Sequence, residues 1–523
     1  MQKRKVFVLL LLGMLICQAS VLASLNVYFS GNLKGQILHT PQEGWQALKL
    51  FNANVWAKGE GTPVSAVIRF ADVGDDFSWQ SITGAMPPIN TQIVRATLIS
   101  NAPVFADGMP AVLSAGDISV NYSPLVARID DSVKVDGIIF NPMKKGLSLE
   151  KLSVPFGNLD LTVNGFAVWE QNSESERMPR AIGVGTKFAM AVFGNDLDVT
   201  FVQRKDEKNP NKIQSQNNKG EAALLHSNQT YLVELVRRYS LGKIEFSYGN
   251  NLNEVTSFGS TTDTVSTSAP FKQFAVEYAL LPSVNSRFEY IYLDPDFEPV
   301  YRDRTPRFNE EGMFIGWNPL DSLRYIEGLQ GVDQYFQNQY RYALNFREGG
   351  IALAIEGDYR QLQSSDRKNY GYLQGYRLKS QAQWQNYSLD GELRHQTLIM
   401  RKHALYTREV GRRAKLEIKR PIYESAFVKG TLGYRIYYEG LYPELFNLRN
   451  RLRMENVVAQ GVLKGMKFYY GLESYRPLAF SSKEPKVDFQ FGVAHETDSG
   501  LFLEFAWSSS NDETKPIYGP EGL

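Results

Sequence analysis

Cysteine is nearly absent from this 523-residue chain, which carries the single Cys17 close to its N-terminus. Disulfide frameworks, thiolate metal sites and a cysteine nucleophile are excluded together once the segment holding Cys17 is removed. An excess of one charge is missing too. Lys plus Arg number 57 against 56 Asp plus Glu, so neither a basic nucleic-acid footprint nor an acidic disordered tail is expected. Histidine is scarce, and His39, His226, His395, His403 and His495 show no metal-ligand spacing. No nucleophile elbow or phosphate loop is present. His495 near Glu496 and Asp498 is the one rim-like constellation, and turns commonly hold such residues without chemistry. The chain reads as a non-enzyme without a cofactor or metal. Repeated apolar runs of spanning length are also lacking, and mean hydropathy is −0.30, which excludes a polytopic helical membrane protein.

What the chain has in quantity is aromatic residues, 30 Phe and 28 Tyr, and alternation. Before that pattern begins, Gln2-Lys3-Arg4-Lys5 is followed by an apolar stretch from Val6 to Ile16 and by Val21-Leu22-Ala23. This is the layout of a secretory signal peptide over 1–23, too short for a spanning helix. Ile16 before Cys17 does not suit a lipoprotein signal. Cleavage after Ala23 leaves a cysteine-free chain and shifts the formal charge from +1 to −2 by removing Lys3, Arg4 and Lys5.

From about residue 229 the chain alternates with period two. Tyr340, Tyr342, Leu344 and Phe346 fall on one face, with Gln339, Arg341, Asn345 and Arg347 on the other. Glu348-Gly349-Gly350 makes a turn, and Ile351, Leu353 and Ile355 resume the apolar face opposite Glu356, Asp358 and Arg360. Tyr376, Leu378, Ala382 and Trp384 alternate likewise with Arg377, Lys379, Gln381 and Gln383. Such alternation predicts strands with one apolar and one polar face. Many are longer than ordinary strands and end in aromatic residues, as barrel strands crossing a bilayer do. Ser240-Leu241, Pro282 to Asn285, Glu348 to Gly350, Pro421 to Glu424 and Lys464-Gly465 read as tight turns. Between them, 250–270, 294–338, 401–410 and 440–454 read as long polar connections, and Lys205 to Thr230 as a mobile loop. About fourteen strands are expected after 229 and eight to ten before it. No repeat and no linker divides the chain, so one domain is expected over 24–508, with a tail at 509–523.

This layout resembles the porin-like outer-membrane β-barrels of bacteria with two membranes. Asp498-Ser499-Gly500-Leu501-Phe502-Leu503-Glu504-Phe505 is similar to the C-terminal signal read by the barrel-assembly machinery, with Gly500, Leu503 and Phe505 as its key positions. It departs from that signal because residues 508–523 follow the aromatic. A second departure concerns direction. If the last strand descends to the periplasm, counting back makes 495–499 and Lys464-Gly465 outer turns, unless the tail adds a return strand.

The resemblance implies an all-β transmembrane antiparallel barrel of about 18–24 strands, even in number, in outer-membrane lipid. It implies passage of small hydrophilic solutes, assembly by the barrel machinery and a possible homo-oligomer. A non-transporting adhesin, receptor or anchor is the alternative. Lumen-lining candidates by parity are Arg341, Arg347, Arg360, Arg377, Lys379, Arg394, Arg413, Lys415 and Arg435. Their excess over inward acids suggests a preference for anions or acidic sugars, while cross-strand ion pairing would neutralise them. Phe427 and Tyr437 read as inward aromatics, either filler near a constriction or surfaces for stacking on sugar rings. Gly116-Asp117-Ile118-Ser119-Val120-Asn121-Tyr122-Ser123-Pro124 reads as a turn and an amphipathic strand. Arg302-Asp303-Arg304-Thr305-Pro306-Arg307 is either a solvated outer loop or one folded into the lumen.

Overall fold

A computed structural model gives the fold. It describes residues 25–508 other than 41–43, 60–63, 73–79, 82–90, 101–110, 131–133, 136–137, 140–143, 157–158, 173–175, 260, 305, 309–313, 318–334, 365–367, 403–404, 443–444, 462, 478–485 and 497–501. The proposed signal segment, Gly500 and the tail therefore lie outside the described residues.

Among these residues twenty-four strands form one sheet. The period-two pattern accounts for it, because each strand places its aromatic and aliphatic side chains on one face and its charges on the other. One member, Gln80–Ser81, is a stub on Gly44–Gly59. The rest follow one another in antiparallel succession from Leu25–Thr40 to Phe502–Ser508. The last strand then lies alongside the first, so the two ends of the sheet meet. Without the stub the succession is odd, and the meeting strands point the same way. The expected even number is met only when the stub is counted.

One rim carries the tight connections. Phe193-Gly194 and Gly349-Gly350 have positive φ at both central positions, the twist that two-residue hairpins need. Among the described residues the segment 294–304 and the helix Pro210–Asn218 lie on the opposite rim. The turn at 459–466 belongs to the tight rim, and Phe502–Ser508 runs from that rim toward the long one. The count back from the last strand therefore holds, with Lys464-Gly465 on the rim from which Phe502–Ser508 starts.

Three further expectations change. Residues 205–230 are ordered as the end of Asn195–Asp206, the helix and the start of Ala223–Tyr239. Asn209 caps the helix by accepting from Lys212 N, with Pro210 in its first turn. The segments 250–270, 401–410 and 440–454 are mostly strand, as in Gly242–Phe258, Thr262–Leu281 and Leu405–Glu424. Their alternation fades where successive residues are exposed on both faces, as along Thr262 to Ser268. Pro421 to Glu424 continues its strand through a register shift at Pro421/Tyr423, and the turn falls at Ser425 to Phe427.

The two faces differ in exposure as a curved sheet requires. Trp384 is 69% exposed and Leu393 55%, whereas Arg360 is 5% and Arg413 8% on the opposite face. The crowded charged face is the concave one. On the convex face a row of rings crosses neighbouring strands: Tyr290–Tyr340 at 5.3 Å, then Tyr340–Tyr359 and Tyr359–Tyr372 at 6.3 Å. Leu344, Ile355, Leu378 and Leu393 pair in register as an aliphatic row nearer the tight rim. Trp384 stacks on Tyr387 beside the turn below it.

Candidate functional site

The interior is built from two parts: a segment folded inward from the wall, and a charged stretch of the wall itself. The inward segment starts at Gly116, where φ is +108° and a Cβ would stand 2.4 Å from the Ala96 carbonyl oxygen. Only glycine adopts this conformation without a clash. Asp117 turns back and accepts from Ala96 N at 2.7 Å and Lys145 Nζ at 2.6 Å, which fixes the departure of the chain. Val120–Ser123 and Ala127–Ile129 then form a small hairpin separate from the main sheet.

The hairpin is held by apolar burial. Ile118, Val120, Val126 and Ile129 join one buried cluster with Phe166, Val168, Val202, Leu232, Phe271 and Ile291 from the concave wall. Burying each such side chain contributes about 1.5–3 kcal/mol. The loop after Val284–Leu293 completes the cluster, with Phe297 against Phe271 at 5.4 Å and Tyr301 against Phe166 at 5.8 Å. Backbone bonds join loop and hairpin, from Arg128 N to Tyr301 O at 2.7 Å and Asp303 N to Pro124 O at 2.8 Å. The Arg128 guanidinium clamps both, reaching Asp303 at 2.7 Å and Asp130 at 2.8 Å. Burial alone would lower its pKa, but hydrogen bonds and charge from these two carboxylates hold it above the ordinary arginine value. Burial also pushes the Tyr122 and Tyr301 phenols far above their usual range, with nearby glutamates adding to the shift, so both stay protonated.

The wall makes room for the loop. A Cβ on Gly183 would lie 1.8 Å from Tyr301 Oη, and one on Gly185 2.3 Å from the Phe166 ring. Gly183→Ala is expected to displace Tyr301 at an overpacking cost of about 1–3 kcal/mol. Faster trypsin cleavage after Arg302 in the folded protein would report it, and an unchanged cleavage rate would refute it.

The charged wall is set by strand register. Glu356, Arg377, Arg394, Arg413 and Glu439 stand directly opposite one another across five strands, with three arginines adjacent. A second row runs Asp390, Glu417, Arg435, Arg451, Glu473. Ion pairs thread these rows. Arg377 reaches Glu392 at 2.7 Å and Glu356 at 3.6 Å, and Lys415 reaches Asp390 at 3.6 Å and Glu417 at 3.9 Å. Arg360 binds Asp358 at 2.6 Å, and Arg341 binds Glu289 at 3.6 Å. Lys379 lies opposite Glu392. Arg347 is exposed beside the Gly349-Gly350 turn, at the rim rather than deep in the wall. Leu503 and Phe505 pair with His495 and Val493 in the final ladder.

Of the two aromatics expected to face inward, Phe427 is corrected and Tyr437 takes the filler alternative. Phe427 sits in a tight turn and is 69% exposed. Tyr437 is 4% exposed, with Arg413 at 5.6 Å and Arg435 at 5.7 Å over its ring, so its faces hold guanidiniums rather than sugars. The inward hairpin was missed because its alternation matches that of a wall strand. Arg302 and Asp303 are buried at 7% and 4%, so the inward alternative for their loop is the one adopted there. Among the described residues no group of His, Cys, Asp and Glu is placed to hold a metal ion.

No family model matches the sequence, and no curated protein matches it. Among solved structures it is similar to the outer membrane protein OpdK from Pseudomonas aeruginosa, at 11% identity over 70% of this chain and 92% of that one, with TM-score 0.31. It is similar to the anion-selective porin from Comamonas acidovorans at 9% identity, over 67% and 96% of the two chains, with TM-score 0.27. OccD1 (OprD) gives 11% identity over 92% and 94%, with TM-score 0.33. Superpositions this loose leave the fold resting on the strand ladders themselves.

Proposed function

We propose that this protein is an outer-membrane barrel that conducts small hydrophilic solutes and prefers anions. The observation that carries the reading is the opposition of the two faces: exposed aromatic and aliphatic rows outside, opposed arginines inside. Backbone polar groups survive in lipid only in helices and closed barrels. The convex face also has the right height. Tyr372 and Trp384 are twelve residues apart on Tyr370–Trp384; at about 3.4 Å per residue and a tilt of about 45° they bracket roughly 29 Å, near the ~25 Å apolar band of such barrels. Outer-membrane lipid and the barrel-assembly machinery are the partners this reading requires. Rings of charged side chains select ions of opposite sign, and the triple-arginine row supplies them.

Single-channel recording of the refolded protein in a planar bilayer under a salt gradient tests this. Stable steps with an anion-selective reversal potential are expected. Silence from a barrel that shows heat-modifiable gel mobility would favour the second reading, a closed barrel acting through its loops, which the inward hairpin supports. The double variant Arg377→Gln with Lys379→Gln is expected to move the reversal potential toward cation preference, because it removes two cations and uncovers Glu356 and Glu392. An unmoved potential would remove these two residues from the selectivity wall.

A further inference from the structure

We propose that the convex face, toward the rim that carries the helix Pro210–Asn218, holds a phosphorylated glycolipid of the outer leaflet, seated on Arg401 and Arg408. The inference rests on the outer-membrane barrel reading, which turns this face to lipid, and not on conduction.

Strand register builds the site. Tyr370, Arg401 and Tyr406 stand directly opposite one another on three successive strands. Two residues nearer the tight rim, Tyr372, Ile399 and Arg408 do the same. These positions share the parity of Leu378 and Leu393, so they belong to the convex face. Arg401 and Arg408 are therefore diagonal neighbours, about 7–8 Å apart. The Arg401 guanidinium lies between two rings, 5.5 Å from Tyr370 and 5.6 Å from Tyr406, and donates to Tyr370 Oη at 2.6 Å. Arg408 is exposed. Arg412, also exposed, follows four residues further along the same face, opposite His395 on one side and Gly440 on the other.

The charge on this face is one-sided. Among the described residues no aspartate or glutamate stands at a convex position of Tyr370–Trp384, Tyr387–Lys402 or the stretch Leu405 to Arg420. The concave arginines of the same strands, by contrast, sit among carboxylates. Arginines on a lipid-facing wall are costly unless an anion meets them, and guanidinium forks match phosphate oxygens in pairs. The level is that of a headgroup. Arg408 is in register with Tyr372, the ring at one edge of the apolar band, and Arg401 lies two residues beyond it. Leu393, Ala414 and Leu416 continue the face below as apolar surface for acyl chains. In outer-membrane barrels the tight turns face the periplasm, which puts this level in the outer leaflet.

The neighbouring strand supplies the sugar contacts. Gln363 and Gln361 stand opposite Tyr370 and Tyr372, and both are exposed. Amides and phenols beside the cations hydrogen-bond hydroxyls, of which a sugar headgroup offers many and a glycerol phospholipid few.

Native mass spectrometry of the refolded full chain in non-ionic detergent tests the site. The probe is diphosphoryl lipid A, with its dephosphorylated form and phosphatidylglycerol as controls, and heat-modifiable gel mobility checks each protein for folding. Diphosphoryl lipid A is expected to be retained in preference to both controls. The double variant Arg401→Gln with Arg408→Gln is expected to weaken retention at least tenfold, the effect of one charge-assisted hydrogen bond. Arg420→Gln, on the same convex face beside the tight rim and over the Tyr387 ring, is expected to leave retention unchanged. Equal retention of either control, full retention by the folded double variant, or an equal loss in Arg420→Gln would overturn the proposal. A heat-modifiable barrel that retains no lipid A sinks the site alone. A chain without heat-modifiable mobility sinks the barrel reading and the site together.

Discussion

Arg128→Ala is expected to raise single-channel conductance several-fold and to make the open current noisy. The inward hairpin and the loop after Val284–Leu293 meet through backbone bonds and through this one guanidinium, which touches both Asp130 and Asp303. The Asp303 side chain is only 6% exposed. Removing the cation from a buried carboxylate costs about 3 kcal/mol, and leaves the hairpin held by its backbone bonds, by Lys187 Nζ donating to Tyr122 O at 3.0 Å and by apolar packing. A freed hairpin withdraws from the path and returns to it, which appears as excess noise. Deleting residues 120–129 carries the same argument to its limit and guards against a hairpin that stays seated without Arg128. Wild-type conductance in both variants would show that the hairpin lies outside the conduction path.

The second large effect concerns the two faces of one strand. Leu344→Arg places a cation on the convex aliphatic row, and at the middle of a bilayer this costs about 2–4 kcal/mol. Ala343→Arg puts the same side chain one residue away on the concave face, opposite Arg287 and Glu356. It is expected to be nearly neutral, because Glu356 receives it. Urea unfolding in lipid vesicles separates the two. Equal destabilisation would mean that the convex face does not meet lipid.

The alternation over 339–384 was sufficient to read the wall strands, their turns and the side on which each arginine falls, because side-chain parity follows from the strand repeat. It could not reveal where a strand sits. Val120, Asn121 and Tyr122 alternate as wall residues do, since a hairpin packed on the wall also has one buried face. The one cue was Gly116-Asp117, where a positive φ and a buried carboxylate turn the chain inward. In 294–304 the polar and Pro-rich composition hid Phe297 and Tyr301, which supply the burial. The charged wall was illegible for a different reason. Arg377, Arg394 and Arg413 become adjacent only through register between neighbouring strands.

The first and last strands lie side by side, and that junction is a seam unlike the rest. Every other junction joins neighbours in sequence and forms early, whereas the seam joins segments separated by most of the chain and must wait for all the rest. Unfolding should therefore begin as an unzipping at the seam, with amide exchange fastest in Leu25–Thr40 and Phe502–Ser508 and slowest in the strands midway along the succession.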